Sequence, residues 1–278
     1  MRFTKMHGLG NDYVFVNCLE ESVDNPATLA CKVSDRHFGI GSDGLILITP
    51  SSVADVGMRI FNADGSEAQM CGNGIRCVTK YAYDHGLCHK EEMTVETRAG
   101  IRTIRLFVRA GVVLGATVNM GRPRLRRSEI PMKGRDSERV VNEKLAVGRK
   151  TLRVTCVNMG NPHCVVPVRS VAAVDLFGLG PRIENHRSFP ERTNVHFVET
   201  LSRKQVRVAT WERGSGVTLA CGTGASAVCV AMNLLGRTGR RVLAHLPGGD
   251  LELDWSDADD CVYMTGPAVE VFTGEWIE

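Results

Sequence analysis

The stretch CGNG at residues 71–74 occurs again 150 residues later, as CGTG at residues 221–224. The alignment continues without gaps as far as Gly86 and Gly236, and five of its sixteen positions are identical. Average composition would give roughly one identity over that length. The 278-residue chain is therefore interpreted as two copies of one unit, each of ordinary domain size.

The two copies have the same predicted order of elements around the motif. Short or alternating apolar runs at residues 54–61 and 205–210 are typical of strands, and each leads through a glycine-containing loop to the motif. Helical patterns follow at residues 75–85 and 225–235, each ending before a glycine suited to the helix C′ position. The second pattern is apolar nearly all round, which predicts a helix buried among the strands of its own half.

The composition narrows the class of protein. A hydrophobic fraction of 43% and a charged fraction of 23% are close to the averages of soluble globular proteins, which argues against a disordered or fibrous chain. A net charge of +3 gives no electrostatic reason to expect a nucleic-acid or membrane partner. Residues 1–16 lack the apolar run and the cleavage site of a signal peptide, so we expect a soluble cytoplasmic protein.

The region between the copies, residues 122–153, is rich in basic residues and poor in aromatic ones. We interpret this region as a linker followed by the first irregular strands of a second domain. Its charges are expected to form a solvated face without a role in nucleic-acid binding.

The ten cysteines include no C-x-x-C pair and no zinc-ligand spacing with histidine, so no metal site is predicted. Most of the cysteines should be buried as small hydrophobic residues. Cys71 and Cys221 differ because each precedes glycines at the start of a predicted helix. Unpaired backbone N–H groups and the helix dipole favour an anion there, which should lower the thiol pKa from about 8.5 toward neutrality. The same N–H groups can bind a carboxylate.

Two such thiols, in halves that we expect to face one another, suit the inversion of an α-carbon. An ionised thiol removes the proton from one face of the carbon, a protonated thiol delivers a proton to the other face, and the two exchange roles in the reverse reaction. The two helix dipoles would stabilise the charge of the carbanion. Such chemistry needs no cofactor, and the sequence contains no cofactor motif.

Motifs along nearly the whole chain resemble those of the diaminopimelate epimerase family. They are, in order, HGLGND at residues 7–12, FNADGSE at 61–67, MCGNG at 70–74, GNPH at 160–163, RTN at 192–194, WERG at 211–214 and ACGTG at 220–224. The resemblance implies an isomerase, independent of pyridoxal phosphate, that interconverts LL- and meso-diaminopimelate in lysine and peptidoglycan precursor biosynthesis. It also implies a cytoplasmic homodimer.

The fold implied by the resemblance is α+β. It has two pseudo-symmetric domains, each a curled, barrel-like sheet of mixed or antiparallel strands around a central α-helix. Residues 1–119 would form the N-terminal half and residues 120–265 the C-terminal half. Residues 266–278 would return to the first half.

The resemblance also assigns roles to the residues that match the family's motifs. Cys71 and Cys221 would be the acid and the base. The reacting carboxylate would be bound by the backbone at Gly72, Asn73, Gly222 and Thr223. The other groups of the substrate would be read by Asn11, Asn62, Asn161, Asn194 and Arg213, of which Arg213 could grip the distal carboxylate in a bidentate manner. His163 and Glu212 would contact the amino groups or polarise the site.

Two positions depart from the family's pattern. Gly44 stands where many relatives carry glutamine and Val217 where glutamate is common, which affects substrate binding but not the thiols.

Two alternative functions remain. A proline or hydroxyproline racemase is the alternative with the same fold, and the joint presence of Asn62, Asn194 and Arg213 favours diaminopimelate as the substrate. A thiol redox or metal-binding protein is the alternative from another class, and the lack of C-x-x-C argues against it.

Overall fold

The computed structural model describes residues 1–277, which divide into two compact units. The first unit contains Met1–Asn119 and the chain from Thr265 onward, and the second contains Met120–Met264. Each unit consists mainly of strands, with two α-helices among its described residues. The α+β class expected from the resemblance is confirmed.

The elements follow one another in the same order in both units, except that the second unit begins with one additional strand. The first unit contains β1 (Arg2–Gly8), β2 (Asn11–Asn17), α1 (Pro26–Ser34), β3 (Gly44–Thr49), β4 (Val56–Asn62), β5 (Glu67–Ala68), α2 (Gly72–Asp84), β6 (Glu92–Thr97), β7 (Gly100–Arg109) and β8 (Val112–Asn119). The second contains β9 (Glu143–Val147), β10 (Lys150–Asn158), β11 (Pro162–Val168), α3 (Leu176–Glu184), β12 (Asn194–Ser202), β13 (Gln205–Glu212), β14 (Gly216–Val217), α4 (Gly222–Leu234), β15 (Arg241–Leu246) and β16 (Gly249–Trp255). The chain then continues through β17 (Val262–Pro267) and β18 (Val269–Glu275), and short 3₁₀ helices occupy Arg127–Glu129 and Val171–Ala173.

The displacement of 150 residues relates the helices and the parallel strand pairs of the two units. The helices α1 and α3 are related by it, as are α2 and α4, and both members of each pair begin and end at aligned residues. The parallel pair β2–β3 places Val14 opposite Leu45, and the parallel pair β11–β12 places Cys164 opposite Val195, which are the same two positions. The repeat seen in the sequence is therefore a repeat of backbone register.

The helices α2 and α4 begin three residues earlier than their hydrophobic patterns predict, because each cysteine is itself the N-cap. Cys71 and Cys221 have extended backbones, and each sulfur accepts a hydrogen bond of 3.3 Å from the N–H group three residues further on. Gly86 and Gly236 adopt φ values of 73° and 68° directly after the helices, so the predicted C′ glycines are confirmed.

Strands surround both of these helices, and ten of the thirteen residues of each helix are buried. Within its own unit, α2 packs against β1, β2, β4, β6, β7, β8 and β18, whereas α4 packs against β10, β11, β12, β15 and β16. The sheet curls around each helix and does not close into a barrel within residues 1–277. This burial places the N-terminus of each helix, and so each cysteine, among side chains of the neighbouring strands.

The basic region 122–153 is more than a solvated linker. Ile130 and Val140 are fully buried in the hydrophobic core of the second unit. The guanidinium of Arg127 is also buried, and it forms an ion pair with Glu143. The expectation of a uniformly solvated face is wrong here because apolar residues, widely spaced among the charges, pack under β10 while the neighbouring charged side chains stay exposed.

Candidate active site

Cys71 lies among polar groups of the first unit. Its sulfur accepts from the Gly74 N–H group at 3.3 Å and lies 3.9 Å from the hydroxyl of Tyr13, which donates to it. The thiol can donate to Asn11 Oδ1 at 3.4 Å. Both Asn11 and Tyr13 belong to β2, so this strand supplies the side chains that contact the sulfur.

Asn11 is held in one orientation by its neighbours. Its Nδ2 donates to Asp43 Oδ2 at 2.7 Å, while its Oδ1 also accepts from Asn73 Nδ2 at 3.2 Å. Asp43 in turn accepts from Arg36 at 2.9 Å. The amide oxygen of Asn11 is therefore fixed beside the Cys71 sulfur.

A buried guanidinium lies under the first turn of α2. Arg76 is 0% exposed and donates to Gly72 O at 3.0 Å, Asn73 Oδ1 at 3.0 Å and Pro267 O at 3.1 Å. All three acceptors are neutral, and no carboxylate within residues 1–277 forms an ion pair with this side chain. Burial lowers the pKa of Arg76, while its positive charge favours the thiolate form of Cys71.

Cys221 has a different electrostatic environment in the second unit. Its sulfur accepts from the Gly224 N–H group at 3.3 Å and lies 3.6 Å from the Thr223 hydroxyl. A carboxylate is nearby, because Glu212 raises the pKa of this thiol by its charge. Glu212 Oε1 accepts from the hydroxyl of Thr218 at 2.5 Å.

The lowered thiol pKa values expected from the sequence are wrong for this structure. Burial raises the pKa of the Cys71 thiol, although the N–H groups of Gly74 and Asn73 and the Tyr13 hydroxyl act in the opposite direction. Burial raises the pKa of Cys221 further, well above its ordinary value, and Glu212 adds to the effect. The free-energy cost of removing a thiolate from water is larger than the stabilisation that the N–H groups and dipole at the helix start provide.

A row of four hydrogen-bonded side chains lies behind Cys221. Asn161 Oδ1 is 2.8 Å from His163 Nε2, His163 Nδ1 is 2.9 Å from His196 Nε2, and His196 Nδ1 is 2.9 Å from Thr210 Oγ1. Both rings and the threonine are buried. Burial lowers the pKa of His163 well below its usual value and that of His196 to about 3, so both rings are neutral at physiological pH. His163 is therefore an internal residue with both nitrogens engaged.

The remaining predicted site residues lie at loops and strand ends. Asn194, which is buried, donates from Nδ2 to Pro162 O at 2.9 Å and accepts from the Arg213 N–H group at 3.0 Å, so its amide holds the start of the Arg213 loop. The Arg213 guanidinium donates to Glu191 O at 2.9 Å. Asn62 Nδ2 donates to the Ser66 hydroxyl at 2.9 Å.

Sequence reasoning missed several residues that contact the predicted site: Tyr13, Asp43, Arg76, His196 and Thr210. The displacement of 150 residues provided a signal for one of them, since it aligns Tyr13, which donates to Cys71, with the predicted site residue His163. The others have no sequence signal, because their importance arises from strands that come together only in the fold.

The described chain also has a surface groove away from the two cysteines. The groove, which has a volume of about 670 Å³ and lies in the second unit, is lined by residues such as Arg182 and His186 and contains neither Cys71 nor Cys221. Residues 1–277 contain no group of three histidine, cysteine or acidic side chains placed to hold a metal ion. None of the helices in that range is long and apolar enough to span a membrane.

The fold and the duplicated cysteine caps define a class of protein: a two-unit α+β chain in which each unit presents a thiol at the start of its central helix. The same fold occurs in a probable proline racemase from Agrobacterium radiobacter K84, with a TM-score of 0.69 and 15% identity over 99% of this chain and 92% of that one. Residues 3–126 and 155–271 match the family model described as diaminopimelate epimerase.

Two curated relatives named diaminopimelate epimerase agree with that match. The one from Desulfovibrio desulfuricans is 53% identical over 99% of this chain and 98% of its own length. The one from Acetivibrio thermocellus is 54% identical, again over 99% of this chain and 98% of its own length. This chain belongs to the diaminopimelate epimerase family.

Proposed function

We propose that this protein is an epimerase that interconverts LL- and meso-diaminopimelate at the α-carbon without a cofactor. The observation that carries the proposal is the pair of cysteine N-caps, Cys71 and Cys221, at equivalent positions of a duplicated unit. Relatives of about the same length that are named diaminopimelate epimerase support the choice of substrate. By that family membership, the reaction serves lysine and peptidoglycan precursor biosynthesis.

The chemistry consists of two proton transfers. A thiolate removes the α-hydrogen as a proton, so the C–H bond breaks, an S–H bond forms and the electron pair stays on carbon. The second thiol then delivers its proton to the opposite face of the carbanion and becomes the thiolate. In the reverse direction Cys71 and Cys221 exchange these roles, and no net electron transfer occurs.

The substrate's reacting carboxylate is proposed to bind to backbone N–H groups at the helix starts. The first N–H groups of a helix lack intrahelical acceptors, and the helix dipole favours a negative charge there. The groups assigned to this task are at Gly72, Asn73, Gly222 and Thr223. Their dipoles also stabilise the charge that develops as the carbanion forms.

Side chains near the ends of β4, β12 and β13 are proposed to bind the distal end of the substrate. Asn62 and Arg213 are partly exposed, which leaves them accessible to a ligand. Glu212, whose charge raises the pKa of the Cys221 thiol, is suited to an amino group of the substrate. The buried Asn194 contributes through the Arg213 backbone that it holds.

The cellular compartment and the oligomeric state are also proposals. All ten cysteines are free thiols, which suits the reducing cytoplasm. A homodimer is supported by large apolar side chains left exposed on the sheet of the first unit, namely Phe107, Val112, Leu114 and Val271. Sedimentation equilibrium tests this, because a monomer at micromolar concentration would contradict it.

Incubation with LL-diaminopimelate tests the proposed function directly. The purified protein, treated with a chelator and free of pyridoxal phosphate, is expected to produce meso-diaminopimelate until the isomers equilibrate. Chromatography of the derivatised stereoisomers measures both pools. L-Proline is the comparison substrate: racemisation of proline without any change in diaminopimelate would contradict the proposal.

A further inference from the structure

The hydrogen-bonded row behind Cys221 has a defined proton direction. A neutral imidazole has one donor nitrogen and one acceptor nitrogen. Since Asn161 Oδ1 can only accept, His163 must carry its proton on Nε2 and accept at Nδ1. His196 must then donate from Nε2 and accept at Nδ1 from the hydroxyl of Thr210. If the donor and the acceptor of one of these hydrogen bonds were exchanged, those of all three would have to be exchanged.

The first unit shows that the fold itself does not need this row. The cross-strand pair His196 and Thr210 of β12 and β13 corresponds, by the displacement of 150 residues, to the pair Ile46 and Ile60 of β3 and β4. Both isoleucines are fully buried. Burying polar side chains lowers the stability of the fold relative to isoleucine unless all their hydrogen bonds are made. A requirement other than packing therefore accounts for His196 and Thr210.

The row lies directly against the reacting end of α4. A Cβ added to Gly224 would be 2.2 Å from His196 Cε1 and 3.0 Å from the Cys221 sulfur. The His196 ring therefore fills the space under the first turn of this helix. At the other end of the row, Asn161 is only partly buried and can reach a ligand.

We propose that His196 and Thr210 are positioning residues that act through His163 to fix the amide of Asn161, so that its NH₂ group is presented as a donor to an oxygen atom of the substrate. This inference rests on the proposed function and specifies it further. With Oδ1 bonded to His163, the free end of the amide is Nδ2, which donates no hydrogen bond within residues 1–277. Asn161 then recognises a carboxylate oxygen and not an ammonium group.

Thr210 completes the row at its buried end. Its hydroxyl donates the hydrogen bond that makes His196 Nδ1 an acceptor, and valine has nearly the same shape without the hydroxyl. In a Thr210→Val variant neither direction of the row is fully satisfied, so the Asn161 amide should populate both orientations. With the amide divided about equally between its two orientations, KM for diaminopimelate should rise about twofold, with a smaller change in kcat.

The kinetic test compares Thr210→Val with two controls. Thr210→Ser keeps the hydroxyl and is expected to leave KM at the wild-type value. Ile60→Val, at the equivalent position of the first unit, should leave KM unchanged. Thermal unfolding checks that each variant is folded. An unchanged KM in a folded Thr210→Val variant would overturn the proposal.

The tautomers provide a second readout that does not depend on activity. In protein labelled with ¹⁵N-histidine, the ¹⁵N shifts of His163 and His196 at pH 7.5 are expected to show both rings protonated on Nε2. A His196→Ile/Thr210→Ile variant, which copies the first unit, identifies the His196 signals by their loss. Protonation of His163 on Nδ1 would overturn the proposal. If the protein failed to epimerise diaminopimelate, the function would be wrong while these spectra still tested the row.

Discussion

Arg76 and Ser226 occupy equivalent positions in α2 and α4, and both donate to the carbonyl oxygen four residues earlier, at 3.0 Å and 2.9 Å. One is a buried cation and the other a neutral hydroxyl. The duplicated scaffold therefore places a positive charge behind Cys71 and none of this kind behind Cys221. Glu212 increases the asymmetry because its negative charge disfavours the Cys221 thiolate.

This asymmetry predicts that Cys71 ionises at a lower pH than Cys221. The rate of alkylation by iodoacetamide, measured at each cysteine by mass spectrometry between pH 6 and pH 10, should rise at lower pH for Cys71. Arg76→Met should move the Cys71 profile to higher pH and leave the Cys221 profile in place, with Ser226→Ala as the matched control. Coincident profiles for the two cysteines in the wild-type protein would contradict this account.

Gly74 and Gly224 predict a difference in tolerance to alanine. A Cβ at Gly224 would lie 2.2 Å from a carbon of the His196 ring, which two hydrogen bonds hold in place, whereas a Cβ at Gly74 would lie 2.6 Å from the mobile Cδ1 of Ile46. Gly224→Ala should therefore destabilise the protein by about 1–3 kcal/mol, and Gly74→Ala by less. Urea unfolding measures both, and equal losses would show that the ring can move aside.

The buried histidines predict an acid-sensitive second unit. Their folded pKa values lie below the unfolded value of about 6.5, and that of His196 is about 3. Above pH 6.5 the two histidines are neutral in both the folded and the unfolded state, so they do not make the free energy of unfolding depend on pH. Below it only the unfolded chain takes up the protons, so stability falls with pH by about 1.4 kcal/mol per unit for each histidine.

The matched variant for this test is His196→Ile/Thr210→Ile, which retains only one of the two rings. Its free energy of unfolding should fall less steeply than that of the wild type between pH 6.5 and pH 4.5. Parallel pH profiles for the two proteins would mean that His196 is not held neutral in the folded state.

Alanine at either candidate acid or base should abolish epimerisation. Cys71→Ala and Cys221→Ala each remove the group that serves one face of the carbon, while the folded structure, checked by circular dichroism, should remain. Cys77→Ala is the control, because the aligned residue of α4 is already alanine, Ala227. Near-normal turnover in either of the first two variants would exclude a mechanism that needs both thiols.

Much of the scaffold could be predicted from the sequence, because the duplicated motif and the glycines Gly86 and Gly236 report on local backbone geometry. The starts of the two helices could not be predicted, since a sulfur atom acts as the cap. The thiol pKa values were predicted with the wrong sign because burial depends on strands distant in sequence, such as the one that carries Tyr13. The role of His196 likewise depends on its pairing with β13.

The origin of the hydrogen at the inverted carbon tests the central claim most directly. In heavy water, one of the thiols Cys71 and Cys221 should take the substrate's own hydrogen while the other, already exchanged with solvent, delivers deuterium. Product from the first few per cent of reaction should be almost fully deuterated at its α-carbon and recovered substrate almost unlabelled, starting from either LL- or meso-diaminopimelate. Equal early labelling of substrate and product in both directions would show that a single base serves both faces.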